Sequence, residues 1–554
     1  MATRPQLAAY AVWAALSAVV AHTINSHVPE PYMDEIYHVP QAQAYCRGDW
    51  RYWDPALTTP PGLYLVPAAL VHLQRHLHRR LPHALTIVDP CSVAALRGLN
   101  LALSLCLPYL YTRLVRLLAA TAASARRPTP DRAAPAFPSF KLAHPATAPA
   151  HALVMSLFPL LGWWSWMYYT DLAAVITVLI SWSFALEERF VLSATVGAAS
   201  LFFRQTNIVW LAFVAGQAAV VQVKLAARAG QDVDPLLDEA RPVDLLRTPI
   251  SLARSALKHP RALGPVLMAY LPVFGLAAAF VVWNGGIVLG DKSNHSPTVH
   301  VPQLFYCIAF AAVFFAPHLI GVPELKQVAR TLCGSVRRVA STMAVLTAMC
   351  WSIKRYTIAH PFLLADNRHY AFYLWRRVLN VHPLARYVLA PGYVVAATLM
   401  WHALARARTL TLSSLVLLFG ATAAVLLPTP LLEPRYFLLP MLVTRLYLVP
   451  SSAPTAASAA GAPNVAEQVK HKRNHAALRR RRARSSSPTS SLPSPSARRR
   501  ALFLEASLSL AVQAACIYLF VARPFRWEIA LGADGRGLEG RDEREVGKWQ
   551  RFMW

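Results

Sequence analysis

The chain has 554 residues, 55% of them apolar, and a positive mean hydropathy of +0.35. Charged residues make up 15%, below the roughly 25% typical of soluble globular domains, and they cluster between long apolar runs. This composition excludes an ordinary soluble protein of several domains and predicts an all-α polytopic integral membrane protein.

Apolar runs predict the membrane spans. The first, Leu7 to Ile24, lacks a strong basic flank and a clear cleavage site, so we interpret it as a retained span rather than a removed signal. Candidate spans are 6–24, 61–75, 92–118, 151–169, 170–187, 190–222, 264–283, 303–320, 341–359, 386–404, 410–428, 435–449 and 502–521. The runs at 61–75 and 435–449 are short, and 190–222 is either one long span or two short ones. About 12–14 transmembrane helices are predicted.

Loops rich in Lys and Arg predict which side of the membrane each connection faces. The basic loops are 119–150, 222–262, 321–340, 402–409 and 450–500. Placing them in the cytoplasm puts 25–60, 284–302, 360–385, 428–436 and the C-terminal tail in the lumen. Two alternatives stay open: a re-entrant 61–75 with two spans in 190–222, or a full 61–75 with one. They give the same topology from residue 223 onward.

Residues 450–500 contribute about +10 of the net charge of +28, because they carry eleven Lys or Arg and one acid, Glu467. Ala, Ser, Pro and Arg dominate this segment, so it cannot bury a core and is expected to be a disordered cytoplasmic insertion. A basic loop beside a span is more typical of the cytoplasmic side, or of contact with anionic lipid, than of nucleic-acid binding. No nucleic-acid partner is predicted.

The first predicted lumenal loop contains adjacent carboxylates, Asp34 and Glu35. Three more polar residues follow Asp34 at spacings of four, seven and eleven: His38, Gln41 and Tyr45. In a helix they would share one polar face with Asp34. Pro40 favours two short helical pieces meeting near Val39 over one straight helix. The plainer alternative is that Asp34 caps a helix start and the rest is solvated surface.

Further polar clusters fall on the same predicted side, at 168–171, 203–207, 285–295, 365–370 and 433–436. Arg204 lies near membrane depth, where an unpaired charge costs about 2.5–3.5 kcal/mol on insertion scales. Its partner is either Asp171, in a buried ion pair, or a lipid phosphate. Together the clusters suit a site for an anionic lipid head group and a neutral acceptor. Asn294 begins a glycosylation sequon, but Pro297 follows it, so we expect an unmodified loop.

Cysteines predict little. The seven, at 46, 91, 106, 307, 333, 350 and 516, are scattered without a C-x-x-C pair. Neither a zinc site nor a disulfide framework is predicted, and most are expected to be small buried residues.

Longer motifs carry a family resemblance. In chain order they are YMDEIYHVPQAQAYC, WDP-x-x-TTPPGLYLV, FRQTNI-x-W, NGGIVLGDKSNH, VPQLFY, LLADNRHY-x-FY-x-WRRV, LLEPRYF-x-LP and QRFMW. Together they closely resemble the endoplasmic-reticulum alpha-1,2-glucosyltransferase family that adds the third, terminal glucose to the dolichol-linked oligosaccharide. The resemblance runs from about residue 30 to the end, interrupted by 119–150, part of 222–262 and 450–500.

The resemblance implies a glycosyltransferase of the GT-C type in the endoplasmic-reticulum membrane, with short lumenal juxtamembrane helices and a lumenal active site. Its donor would be dolichyl-phosphate glucose, and its acceptor the diglucosylated oligosaccharide on dolichyl diphosphate; both imply contact with membrane lipid. We divide the chain into a catalytic transmembrane domain (1–449, first lumenal loop 25–60), the insertion (450–500), and a last transmembrane helix with a lumenal tail (501–554).

The implied reaction converts a beta-linked donor into an alpha-linked product, so it inverts the anomeric carbon in one in-line attack. A carboxylate that takes the acceptor's proton typically contributes 100- to 10,000-fold. Asp34 is the first candidate for this base, and Glu35 is second or orients the acceptor. The departing phosphate needs cations rather than an acid. We therefore predict a metal-independent enzyme without a cofactor.

The remaining site predictions fall into two groups. Candidate phosphate-binding residues are Arg204, Arg368, His369, Lys292 and Arg435. Candidate substrate-binding residues are His38, Gln41, Asp171, Gln205, Asn207, Asp291, Asp366, Asn367 and Tyr370.

Two other functions are weighed against this one. A related transferase could use dolichyl-phosphate mannose or add an earlier glucose, and residue chemistry alone does not separate these sugars. A lipid or solute transporter would bury its charges near the midplane, often between internal repeats. The charges here gather toward one face, which favours the transferase.

Overall fold

Helices form nearly all the regular structure in the computed structural model, which describes residues 4–80, 89–124, 147–227, 234–290, 297–450, 494–526 and 548–554. In chain order the helices are α1 (Arg4–His27), α2 (Glu35–Arg47), α3 (Gly62–Arg80), α4 (Val93–Ser104), α5 (Leu107–Ser124), α6 (Ala148–Ser156), α7 (Pro159–Trp166), α8 (Thr170–Leu186), α9 (Phe190–Leu201), α10 (Asn207–Ala226), α11 (Asp244–Lys258), α12 (Pro260–Asn284), α13 (Pro302–Leu319), α14 (Val322–Cys333), α15 (Val336–Tyr356), α16 (Pro361–Ala365), α17 (Tyr370–Leu374), α18 (Ala385–Val388), α19 (Ala390–Ala407), α20 (Leu412–Leu426), α21 (Leu438–Tyr447) and α22 (Pro495–Ala522). A π-helical turn covers Trp375–Leu379, and a 3-10 turn covers Pro434–Phe437. Two short strands, β1 (Phe525–Arg526) and β2 (Trp549–Gln550), pair antiparallel.

Seven helical segments in the described part of the chain are long and apolar enough to cross a membrane: α1, α4–α5, α10, α12, α13, α18–α19 and α22. Helices α7 and α8 are bent by 118° at their break and count as an eighth span if taken as one. Helices α9 and α20 are apolar but shorter. The chain is therefore an all-α multi-pass membrane protein, and the larger count of 12–14 spans stays a prediction.

The structure shows how many helices two of the open segments form, while their crossings of the membrane stay predictions. The run 190–222 is two helices, α9 and α10, which are separated by a break at residues 202–206. The run 61–75 forms the first part of α3, which is not among the seven candidate spans. Residues 451–493 of the basic insertion lie outside the described residues, so its predicted disorder stays a prediction.

Helix α2 is continuous, so the expected break near Val39 was wrong. It runs from Glu35 to Arg47 through Pro40 and ends at Gly48, whose φ of 93° is the left-handed conformation that glycine adopts without strain. Pro40 is the sixth residue of the helix and therefore removes one intrahelical hydrogen bond, the one to the carbonyl of Ile36. Apolar burial offsets this loss, because Val39 and other apolar residues of α2 pack against α3.

The expectation of no disulfide was also wrong. Cys46, at the end of α2, is bonded to Cys91, just before α4, with Cα atoms 6.6 Å apart. The two residues are 45 positions apart, and only the hairpin of α2 and α3 brings them together. The prediction of small buried residues holds for Cys307 and Cys516.

A buried ionic group ties three helices together within the apolar core. Arg445 of α21 donates two hydrogen bonds of 2.7 Å to the carboxylate of Glu505 in α22. His318 of α13 lies 2.8 Å from the same carboxylate. Buried charges need such pairing, because an isolated charge in a low-dielectric interior is very costly. None of the predictions from the sequence included this group.

Candidate active site

Asp34 forms an ion pair across the mouth of the site. It occupies the position before α2, yet its carboxylate makes no capping hydrogen bond. Instead, Nη1 of Arg435 donates to Oδ2 of Asp34 at 3.0 Å, and Arg435 also pairs with Glu433. The side chain of Asp34 is 41% exposed and that of Arg435 is 20% exposed. The pair therefore faces an opening, where ligands can reach both groups.

A second cation lies beside the first. Nη1 of Arg204 donates to Oδ1 of Asp171 at 2.8 Å, so the ion pair weighed for Arg204 is present. The guanidinium groups of Arg204 and Arg435 lie 5.6 and 5.8 Å from the centre of the Tyr436 ring. The ring thus holds two cations near one another by cation–π contacts. Arg204 lies in the break between α9 and α10, and its side chain is 18% exposed.

His38 forms the floor of the site beside Asp34. It is buried, and its Nδ1 lies 2.7 Å from the hydroxyl of Tyr64. Its ring also contacts the ring of Tyr169, whose hydroxyl accepts the backbone N–H of Asp34 at 3.1 Å. Burial lowers the pKa of His38 and outweighs the charge of Asp34, which raises it. His38 is therefore a neutral imidazole at neutral pH.

The electrostatics of the site keep Asp34 ionised. Burial raises the pKa of the Asp34 carboxyl, but the positive charge of Arg435 and its hydrogen bond outweigh that effect. The charges of His38 and His369, when present, act in the same direction. The net result is a pKa below the usual range for aspartate. At neutral pH the group is a carboxylate that can accept a proton.

The 366–370 loop also approaches Asp34, since His369 contributes to its electrostatics. Arg368 is buried and pairs with Asp366 at 2.7 Å. Burial raises the pKa of Asp366, but the hydrogen bonds and the charge of Arg368 lower it by more. The net pKa is below the usual value for aspartate, so Asp366 is ionised too. Nδ1 of His369 donates to the backbone carbonyl of Trp554 at 2.9 Å, because a carbonyl can only accept.

Glu35 lies apart from this group, in the interior. Its side chain is fully buried and accepts hydrogen bonds from Arg97 at 2.5 and 2.9 Å. It also accepts the backbone N–H groups of Tyr32 and Tyr168 at 3.0 and 2.7 Å. With its oxygens occupied in this way, Glu35 fixes the first loop against α4 and the start of α8. The structure favours Asp34 over Glu35 for contact with a substrate.

Sequence reasoning missed two residues of α4 that shape the site. Arg97 neutralises Glu35, and Asn100 donates to the backbone carbonyls of Met167 and Tyr169, at 2.7 and 2.9 Å, where α7 gives way to α8. Both are nearly inaccessible. The signal is present in the sequence, since a polar residue within an apolar run needs a partner, as Arg204 does.

Two predicted substrate-binding amides are used to hold loops. Gln41 is fully buried; it donates to the carbonyl of Tyr52 at 2.8 Å and accepts the N–H of Asp54 at 3.0 Å. Gln205 donates to the carbonyl of Thr58 at 2.6 Å. Both amides thus anchor the segment 52–58, which borders the site.

The other predicted residues are placed as follows. Asn207 is buried and donates to backbone carbonyls of α8 and α9, so it supports the break before α10. Asn367 and Tyr370 are half-buried in the 366–370 loop. Asp291 and Lys292 lie outside the described residues. Their binding roles stay predictions.

Within the described ranges, no three His, Cys, Asp or Glu side chains are grouped so as to hold a metal ion. The described site instead combines an ionised carboxylate, a neutral imidazole and several cations. A carboxylate can take a hydroxyl proton, and arginines can hold a phosphate. Metal independence stays a prediction.

Comparison with known proteins gives a consistent family assignment. A 33% identical relative from Arabidopsis thaliana aligns over 76% of this chain and 87% of its own length. A relative from Mus musculus is 33% identical over 78% of this chain and 86% of its own length. One from Homo sapiens is 32% identical over 80% of this chain and 90% of its own length. Each is named Dol-P-Glc:Glc(2)Man(9)GlcNAc(2)-PP-Dol alpha-1,2-glucosyltransferase. No solved structure matches the chain.

The family model for DIE2/ALG10 matches residues 28–446, which include Asp34, Arg204, Arg368 and Arg435. The match thus spans both ends of the ion pair at the mouth of the site. The chain belongs to the DIE2/ALG10 family.

Proposed function

We propose that this protein transfers glucose from dolichyl-phosphate glucose, in alpha-1,2 linkage, onto the diglucosylated oligosaccharide carried by dolichyl diphosphate. The observation that carries the proposal is the open ion pair of Asp34 and Arg435 beside Arg204. It supplies a proton acceptor and phosphate-binding cations in one place. The printed names of the relatives supply the sugar, the linkage and the acceptor.

In the proposed reaction, the acceptor's 2-hydroxyl oxygen attacks the anomeric carbon of the donor glucose. A new carbon–oxygen bond forms as the bond to the phosphate oxygen breaks, and its electron pair leaves with dolichyl phosphate. The hydroxyl proton goes to the carboxylate of Asp34. Arg435 and Arg204 stabilise the charge that develops on the departing phosphate, with Arg368 and His369 as further donors.

Besides Glu433, Arg435 has two alternative anionic partners in this scheme, Asp34 before the donor binds and the phosphate afterwards. A phosphate that draws Arg435 away would weaken its hold on Asp34 and raise the basicity of the carboxylate. The carboxylate would thus become the stronger base when a donor is present.

We further propose that the site faces the lumen of the endoplasmic reticulum. Two features support this orientation. Basic loops are expected in the cytoplasm, opposite the site. Cys46 of the Cys46–Cys91 disulfide lies in α2, the helix that follows Asp34. Disulfides persist in oxidising compartments such as the endoplasmic-reticulum lumen, which favours a lumenal position for this helix.

Purified protein tests the function directly. It would be given dolichyl-phosphate glucose and lipid-linked acceptors that carry zero, one or two glucoses, with and without a chelator. We expect extension of the two-glucose acceptor alone, by one alpha-1,2-linked residue, at a rate the chelator does not change. Dolichyl-phosphate mannose in place of the donor should give no product. Extension of an earlier acceptor, or use of mannose, would replace this function with that of a related transferase.

A further inference from the structure

The segment 548–554 packs across one side of the candidate site. Its first part, β2, pairs with β1 directly after α22. Residues 551–554 then run beside the 366–370 loop, where Met553 and His369 form a parallel β-bridge. The N–H of Met553 donates to the carbonyl of Arg368 at 2.9 Å, and the N–H of Tyr370 donates to the carbonyl of Met553 at 3.0 Å. The segment and the loop are therefore held in a fixed register.

The same segment is bonded to the loop that carries Asp34. The hydroxyl of Tyr32 lies 2.7 Å from both the N–H and the carbonyl of Arg551, as acceptor of one and donor to the other. Tyr32 is two residues before Asp34, and its own N–H is held by Glu35 at 3.0 Å. The segment 548–554 thus connects the proton-accepting side of the site with the phosphate-binding side.

Two contacts reach the candidate phosphate-binding groups themselves. Gln550 is completely buried, and its Oε1 accepts a hydrogen bond of 2.9 Å from Nη1 of Arg368. The backbone carbonyl of Trp554 accepts from Nδ1 of His369. An acceptor at Nδ1 keeps a proton on that nitrogen, and Nε2 is a hydrogen-bond donor only when the ring is the charged imidazolium.

The indole of Trp554 keeps its own carbonyl in place. Its ring packs edge-on against the rings of Tyr370, at 5.3 Å, and Phe310, at 6.0 Å. Trp549, by contrast, is 54% exposed and stacks on Arg526. Neighbouring residues of β2 therefore differ, since Gln550 faces the site and Trp549 faces away.

We propose that the segment 548–554 is a positioning element for the donor phosphate, acting through Gln550 on Arg368 and through the Trp554 carbonyl on His369. The inference rests on the proposed function, because it assigns these two groups to the donor. A fixed ring orientation and a fixed guanidinium plane would place both groups before the lipid arrives, which lowers the cost of binding. Neither Gln550 nor Trp554 touches the reacting atoms in this account.

Variants of Gln550 test the proposal, with dolichyl phosphate as an inhibitor that probes donor binding. Gln550→Leu removes the acceptor for Arg368, and Gln550→Glu keeps it but adds a charge that competes with phosphate. Both should raise the KM for dolichyl-phosphate glucose, and the inhibition constant of dolichyl phosphate, by about tenfold or more. The KM for the acceptor should stay the same. Gln550→Glu should unfold at the wild-type temperature, since the pair with Arg368 is retained.

Trp549→Ala is the matched control on the same strand, and its donor KM should be that of the wild type. Tyr32→Phe, which removes both bonds to Arg551, should lower kcat at unchanged unfolding temperature. Wild-type donor KM and dolichyl phosphate inhibition in both Gln550 variants would overturn the proposal, as would an equal effect of Trp549→Ala. Failure of the wild-type protein to use dolichyl-phosphate glucose would instead overturn the proposed function, so the two failures are distinguishable.

Discussion

Asp34 and Arg435 are 401 residues apart in the sequence and form a hydrogen-bonded ion pair of 3.0 Å in the structure. The first residue precedes α2, and the second lies in the turn before α21. The proposed proton acceptor and one of the proposed phosphate-binding cations are therefore coupled in the free protein. Any ligand that engages Arg435 must change the electrostatics of Asp34, because the two charges stabilise one another.

Replacement of Asp34 by Asn tests its assignment as the base. The variant keeps the size of the side chain and loses the proton acceptor, so transfer should fall by about 100- to 10,000-fold. Because Asp34 is partly exposed, loss of its ion pair should cost little stability, and folding and membrane insertion should be retained. Rates of glucose transfer and the thermal unfolding midpoint in detergent would be measured together. Wild-type turnover in Asp34→Asn would remove Asp34 from the mechanism.

The pH dependence of kcat/KM tests the coupling to Arg435. The free enzyme's base is active when ionised, and Arg435 holds the pKa of Asp34 below the usual value, so activity should persist to unusually low pH. Arg435→Gln removes the largest effect that lowers the pKa of Asp34, so the effect of burial, which raises it, should weigh more. The acid limb of the profile should then move to higher pH, in addition to any fall in the maximum.

Arg435→Lys is the control, since it keeps a positive charge and should leave the acid limb closer to its wild-type position. The stability of the protein should depend on pH in the same direction as its activity, because both fall when Asp34 is protonated. A carboxyl whose pKa is depressed by folding stabilises the protein above its unfolded pKa of about 3.9, and that stability is lost as pH falls through the folded value. An acid limb that stays in place in Arg435→Gln would show that Asp34 does not set it.

The sequence was a good guide to what lies near the site. Intramembrane charge at Arg204 required a partner, and the structure shows Asp171, one of the two partners considered. The long ordered motifs predicted the family, which the comparisons confirm. Hydropathy identified the apolar runs, since bilayer thickness imposes a length that is readable from sequence alone.

The sequence alone could not predict that two neighbouring residues have different partners and different roles. Asp34 and Glu35 look alike in the sequence, yet one pairs with Arg435 at the mouth and the other with Arg97 in the interior. That difference depends on contacts between distant helices. The Cys46–Cys91 disulfide was missed for the same reason, because spacing along the chain does not report proximity in a hairpin of helices.

Glu35 should behave as a structural residue. In Glu35→Gln, Arg97 would keep its buried charge without a counter-charge, and breaking such a pair costs about 3–5 kcal/mol. We expect a lower unfolding temperature and less folded protein, while the folded fraction retains most of its kcat. Active-site titration against folded protein, measured by gel filtration, would separate the two effects. A stable but inactive Glu35→Gln, with Asp34→Asn active, would reverse the assignment of the base.

The disulfide should stabilise the first loop and α3. It closes a separation of 45 residues, and crosslinks of this kind are typically worth about 2–4 kcal/mol. Cys46→Ser and Cys91→Ser should therefore lower the unfolding temperature by similar amounts, and the double variant should lower it no further than either single one. Thiol labelling of the denatured, unreduced protein should increase in each single variant. Additive losses in the double variant would show that the two residues are not bonded.

The buried group of Arg445, Glu505 and His318 predicts a different pattern of stability, because it lies in the core rather than at the site. Glu505→Met leaves Arg445 buried without its carboxylate, which should cost about 3–5 kcal/mol. Arg445→Met leaves Glu505 with His318 alone and should cost a similar amount.

Replacing both Arg445 and Glu505 by Met removes the two charges together, and apolar replacement of a buried pair is often neutral or stabilising. The double variant should thus unfold at a higher temperature than either single variant. A loss in the double variant equal to the sum of the two single losses would show that the positions are not coupled, and that this group contributes packing rather than charge pairing.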